Sequence, residues 1–181
     1  IIESLVFIAH KKSDLDHYQA IKLLYLADKE HLNRYGRPIS YDNYFALPYG
    51  PVPSTALNLL TGDSRTLKAY NLTESSFPIR IEAVPADNST IFILREALRS
   101  VDYNEFSDSD IEVLSWSIEQ FGDMTFGQLY DLTHEHFAYK SVWGTRGGSS
   151  RVGMKYRDMF DEGEKKAAYI SEKLPFAAHA R

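Results

Sequence analysis

The strongest helical pattern in the chain runs from His17 to Tyr35. Its middle is Ala20-Ile21-Lys22-Leu23-Leu24-Tyr25-Leu26-Ala27, apolar on almost every side apart from Lys22. A helix with that pattern is buried on most sides, so the segment predicts a central helix. Asp16 can cap its start, Gly36 supplies a left-handed stop, and Pro38 blocks any continuation. Upstream, Leu5, Ile8 and Ala9 share one side of a short helix within Ile2 to Lys12, which Ser13 and Asp14 interrupt.

After the central helix the period changes. Tyr41, Asn43, Phe45 and Leu47 alternate with Asp42, Tyr44 and Ala46, the signature of a strand. Pro48-Tyr49-Gly50-Pro51-Val52-Pro53 then predicts a stiffened turn, because proline fixes φ and Gly50 precedes a proline. Ser54 to Leu60 predicts a helix that could begin as early as Pro51, with Gly62 at its end. Ile79 to Val84 and Thr90 to Leu94, joined by Pro-Ala-Asp-Asn-Ser, predict a hairpin. Ser107-Asp-Ser-Asp110 opens a helix to about Phe121. Thr125 and Gln128 make a capping box for another helix reaching roughly Ala138. Gly144 to Gly153, rich in Gly, Ser and Arg, predicts a flexible loop, and Glu162 to Leu174 a charged helix. No internal repeat or interdomain linker is visible. The expected fold is mainly α: one helical domain over residues 1–181 around the buried helix, with a small β element.

Composition narrows the function classes. With 44% hydrophobic and 13% aromatic residues, the 181-residue chain can bury a core, so it is not globally disordered. No run reaches the roughly 18 apolar residues of a membrane span. No cysteine is present, which excludes disulfides, thiolate nucleophiles and Cys-ligated metal, and suits a reducing cytoplasm. The net charge is −5, with dispersed cations, so the pattern does not favour nucleic acid and fits a basic partner better. The sequence opens on Ile1 and shows no secretory pattern, although a segment removed ahead of it would not be visible.

The residues offer little catalytic chemistry. His134 and His136 flank Glu135, but two apart on a helix they diverge, and no zinc spacing occurs. Asp28 and His31 share a helical face, where an ordinary hydrogen bond between them is the simpler reading than metal binding. No Gly-x-Ser-x-Gly elbow exists, and Gly144-Thr-Arg-Gly-Gly-Ser-Ser150 lacks the end of a phosphate loop. No cofactor is implied. The notable stretch is Lys22 to Val52. Lys22 lies in an apolar helix centre, so it must meet a carboxylate, snorkel or line a recess; Asp42 is a candidate partner. Tyr35, Tyr41, Tyr44, Phe45 and Tyr49 cluster with Arg34 and Arg37, a composition found both at small core edges and at binding hot spots.

Lys22-Leu-Leu-Tyr-Leu-Ala-Asp28, Glu30-His31-Leu-Asn-Arg-Tyr-Gly-Arg-Pro-Ile39 and Asp42-x-Tyr44-x-Ala46-x-Pro-Tyr-Gly-Pro-Val52 resemble the Panacea domain. This is the SocA-like antitoxin family, also described as phage-associated GepA-like proteins. The resemblance continues through Phe106 to Asp110, Phe121 to Phe126 and Leu132 to Glu135. It departs at His136-Phe-Ala-Tyr139, where such proteins often carry a Trp. It implies a helical antitoxin that neutralises a cognate toxin by direct contact, without enzymatic activity. The toxin would be encoded beside it. On that reading Tyr25, Asp28, His31, Arg37, Asp42, Tyr44 and Tyr49 frame the partner face. Lys22, Gly36, Pro48, Gly50 and Pro51 serve as structural supports. Two other readings stay open: a small-ligand- or metal-binding enzyme domain using Lys22, Asp28 and His31, and, behind it, a DNA-binding autoregulator using a helix and the Arg146–Arg151 loop.

Overall fold

Helix α2, His17–Tyr35, organises the molecule in a computed structural model that describes residues 1–87 and 89–161. A capping box closes its start: the Asp16 carboxylate accepts from the Gln19 amide, and the Gln19 side chain accepts from the Asp16 amide. Its end is Gly36, left-handed at φ 77°, whose amide bonds back to Leu32. Because the helix is apolar all round, it serves two cores. Ala20, Leu23, Leu24 and Ala27 join α1 (Ile2–Lys11), α3 (Ser54–Leu60), α4 (Ser64–Ala69) and α5 (Asp108–Phe121). Tyr18, Tyr25, Leu26 and Leu32 face a second cluster with Tyr44, Leu129, Ala138, Met159 and Phe160. Full burial of such side chains contributes about 1.5–3 kcal/mol each.

The β content overturns the expected mainly helical class. Two three-stranded antiparallel sheets make the fold α+β. In the first, the hairpin β4 (Ile79–Ala86) and β5 (Ser89–Ala97) is joined by β1 (Leu15–Asp16), with β5 central. In the second, β2 (Tyr44–Leu47) pairs with β3 (Gly50–Pro53) on one side and β6 (Val152–Gly153) on the other. The sequence hid this sheet for a physical reason. β3 is Gly-Pro-Val-Pro, a composition that reads as turn, yet its prolines tolerate an edge position. Pro51 and Pro53 are two apart, so both missing N–H groups fall on the side turned away from β2.

The expected long helix after Thr125 is also divided. α6 (Phe126–His134), opened by the Thr125–Gln128 capping box, stops at Glu135, and α7 (Phe137–Trp143) begins after His136. The end of the Gly, Ser and Arg run pairs with β2 as β6. The helix expected over Glu162 to Leu174 lies outside the described residues. Among the described residues, no helix is long and apolar enough to cross a membrane.

Candidate functional site

The turn between β2 and β3 is fastened from below by three helices. In an antiparallel edge strand, a residue whose N–H points off the ladder also points its carbonyl away, so the Pro51 carbonyl needs another donor. Lys22 of α2 supplies it, with Nζ 2.6 Å from the carbonyl oxygen and 4.8 Å from the Tyr18 ring centre. The Tyr139 hydroxyl of α7 donates to the Leu47 carbonyl at 2.9 Å. His134 of α6 places Nε2 3.3 Å from the Pro48 carbonyl and Nδ1 2.7 Å from that of Tyr130. Gly50, at φ +99°, sits in the middle of these contacts. A Cβ there would lie 3.0 Å from both Lys22 Nζ and Thr133 Oγ1.

Two buried carboxylates hold the chain on either side. Asp28 accepts from the Ile39 and Ser40 amides at 2.7 and 2.9 Å, from the Tyr44 hydroxyl at 2.7 Å, and from the Ser40 hydroxyl. Burial pushes its carboxyl pKa up, and those four hydrogen bonds pull against the rise. Asp42 accepts from the Asn43, Thr55 and Ala56 amides at 2.6, 2.9 and 2.8 Å. It therefore caps α3, whose own N-cap, Pro53, has no side chain able to do so. Lys22 does not meet Asp42: the carboxylate is taken by amides and the lysine amino group donates to a carbonyl. Burial drives the lysine pKa well below its ordinary value.

His31 does not pair with Asp28 either. Its Nδ1 lies 2.7 Å from the Arg37 carbonyl, so that nitrogen carries the proton. Nε2 meets the Ser109 hydroxyl at 3.0 Å and Asp110 at 3.1 Å, and Arg37 joins Asp110 at 2.8 Å. Burial lowers the His31 pKa. Tyr25 bonds His136 Nδ1 at 3.0 Å, and burial brings that imidazole down to about 4.

Of the seven residues expected to frame a partner face, Tyr25, Asp28, His31, Asp42 and Tyr44 are therefore interior. Arg37 is half-buried against Asp110, and Tyr49 at the tip of the turn is 62% exposed. Gly36, Pro48, Gly50 and Pro51 shape the chain around them. Lys22, Asp28 and His31 are each fully buried with separate partners rather than converging on one opening. Among the described residues, no group of three or more His, Asp or Glu could hold a metal ion.

The solvent side of the turn shows what sequence reasoning missed. Tyr49 meets Phe126, 47% exposed, edge-on at 5.9 Å. Phe126 stacks on Tyr130 at 6.1 Å, Tyr130 on His134 at 3.7 Å, and His134 meets Tyr139 at 4.4 Å. A row of rings thus runs along one face of α6 beside the turn. Phe126, Tyr130 and His134 recur at four-residue steps, a spacing legible in the sequence; that it lies beside Tyr49 was not.

Neither a search of curated proteins nor one of solved structures returns a match. A profile of the family described as antitoxin SocA-like, Panacea domain, matches residues 21–139. That span takes in most of α2, the fastened turn, both buried carboxylates and the ring row. The chain belongs to the SocA-like antitoxin family defined by the Panacea domain.

Proposed function

We propose that this protein neutralises a cognate toxin by direct, stoichiometric contact, and that Tyr49 and Phe126 anchor the contact. The carrying observation is the family match over residues 21–139, the stretch that contains both the fastened turn and the rings it presents. The physical logic favours the tip. A turn held at three carbonyls loses little conformational entropy on binding, and large rings concentrate interface energy. The interior residues support this platform: Asp28 and Tyr44 hold the strand entry, Asp42 holds the exit, and Lys22 holds the turn. The toxin is expected from the adjacent reading frame, and its docking surface is expected to be basic, matching the net −5 of this chain.

Co-expression of the neighbouring frame with wild-type and variant chains tests the reading. Tyr49→Ala and Phe126→Ala together should abolish growth rescue and co-purification while leaving the melting temperature within about 2 °C. Full rescue by that double variant would remove the proposed face. Failure of the wild-type chain to bind any neighbouring product would remove the function.

A further inference from the structure

The chain totals −5, yet residues Phe137 to Arg157 hold five cations and no carboxylate. Fold brings this stretch together, since α7 packs on β2, on β6 and on the 3-10 turn Tyr156–Asp158. Several arginines elsewhere are neutralised: Arg37 by Asp110, Arg80 by Glu96, Arg95 by Asp14 and Glu82, Arg99 by Glu3. Arg146 and Arg151 are not. Their guanidinium carbons lie 4.3 Å from the Trp143 ring centre and 3.7 Å from that of Phe45. Both are exposed, as is Lys155, and none of the three meets a carboxylate among the described residues.

We propose that Arg146, Arg151 and Lys155 form a nucleic-acid-binding strip that grips the sugar–phosphate backbone. Stacking occupies the face of a guanidinium and leaves its in-plane N–H groups pointing outward, the donor set that matches phosphate oxygens. Arg146 spends one such donor on the Trp143 carbonyl at 2.8 Å; no Arg151 side-chain hydrogen bond occurs among the described residues. Gly147, Gly148, Ser149 and Ser150 between the two arginines carry no bulk to hold a phosphate chain away. The overall acidity does not cancel this field, because charges beyond about 8–10 Å are screened at physiological salt. The two rings are already covered by cations, so the strip reads backbone charge rather than stacking bases. An acidic protein segment is the competing ligand; a duplex carries one charge per about 1.7 Å of its axis, about twice the line density of even an extended all-acidic chain, which favours the duplex on three separate cations.

Fluorescence anisotropy of the full chain with a labelled DNA duplex of about 20 base pairs, titrated between about 50 and 200 mM salt, tests this. Binding should weaken steeply with salt. Arg146→Gln, Arg151→Gln and Lys155→Gln combined should lower affinity at least about tenfold and reduce the log–log salt slope by about 2–3. Lys155→Gln alone, which disturbs no ring contact, should reduce the slope by about 1 and keeps the test open if the triple variant unfolds. Absence of binding at about 50 mM salt, an unchanged slope in the variants, or equal affinity for polyglutamate overturns the proposal. Toxin rescue by the same variants reads the Tyr49 face separately.

Discussion

Gly50 meets two demands at once, and Gly36 meets only one. Both have positive φ, +99° and +77°, where an L side chain costs about 1–2 kcal/mol. Gly36 has open space around the missing Cβ, whereas Gly50 faces Lys22 Nζ and Thr133 Oγ1 at 3.0 Å. Gly36→Ala should therefore cost about 1 kcal/mol in urea unfolding. Gly50→Ala should cost about 2–4 kcal/mol, since crowding adds to the backbone strain. Equal losses at the two sites would show that the turn yields freely. Lys22 illustrates how far the sequence carries at this scale. A lone cation among apolar neighbours must find a partner, which is legible. That the partner is a carbonyl depends on which way an edge strand turns Pro51, which is a property of the sheet.

At the scale of elements, Asp42 joins strand β2 to helix α3. Its carboxylate satisfies two amides of the first turn of α3, from a position eleven residues ahead of Pro53. Asp42→Ala leaves those buried donors unmet and should destabilise the protein by about 2–4 kcal/mol. Asp42→Asn keeps one acceptor oxygen and should lose less than half as much, read from the same urea midpoints. If both substitutions are neutral, α3 is held by packing alone. The hairpin β4–β5 protects its own outer edge, with Arg80 tied to Glu96, Glu82 to Arg95, an irregularity after Arg80, and Pro85 near the tip. Helices with capping boxes, such as α2 and α5, were legible because their signals are local. The two-residue strands β1 and β6 were not, because each exists only through a partner far along the chain. The break after His134 was missed because Glu135 and His136 carry no glycine or proline to announce it.

For the whole molecule, acidity should be destabilising. His136 is held at about 4 by burial against an ordinary 6.5, and His31 and His17 are lowered by burial as well. Between those values the unfolded chain binds more protons than the folded one, so stability is lost as pH falls from about 6.5 towards 4. The His136 contribution is on the order of 3 kcal/mol. Asp28, whose pKa is raised, acts in the opposite sense over the acid range and offsets part of it. Thermal melts from pH 7 to 4.5 should show a falling midpoint, and His136→Asn, which keeps an acceptor for Tyr25, should flatten the curve. An identical curve in that variant would place the acid sensitivity elsewhere. The three fastenings of the turn span very different stretches of chain: Lys22 to Pro51, Pro48 to His134 and Leu47 to Tyr139. During synthesis, the first can close as soon as α2 and β3 have left the ribosome, but the other two wait for α6 and α7. A nascent chain that ends before α6, or one nicked between α5 and α6, would carry the β2–β3 tip with Lys22 alone beneath it, lacking the two contacts that His134 and Tyr139 supply.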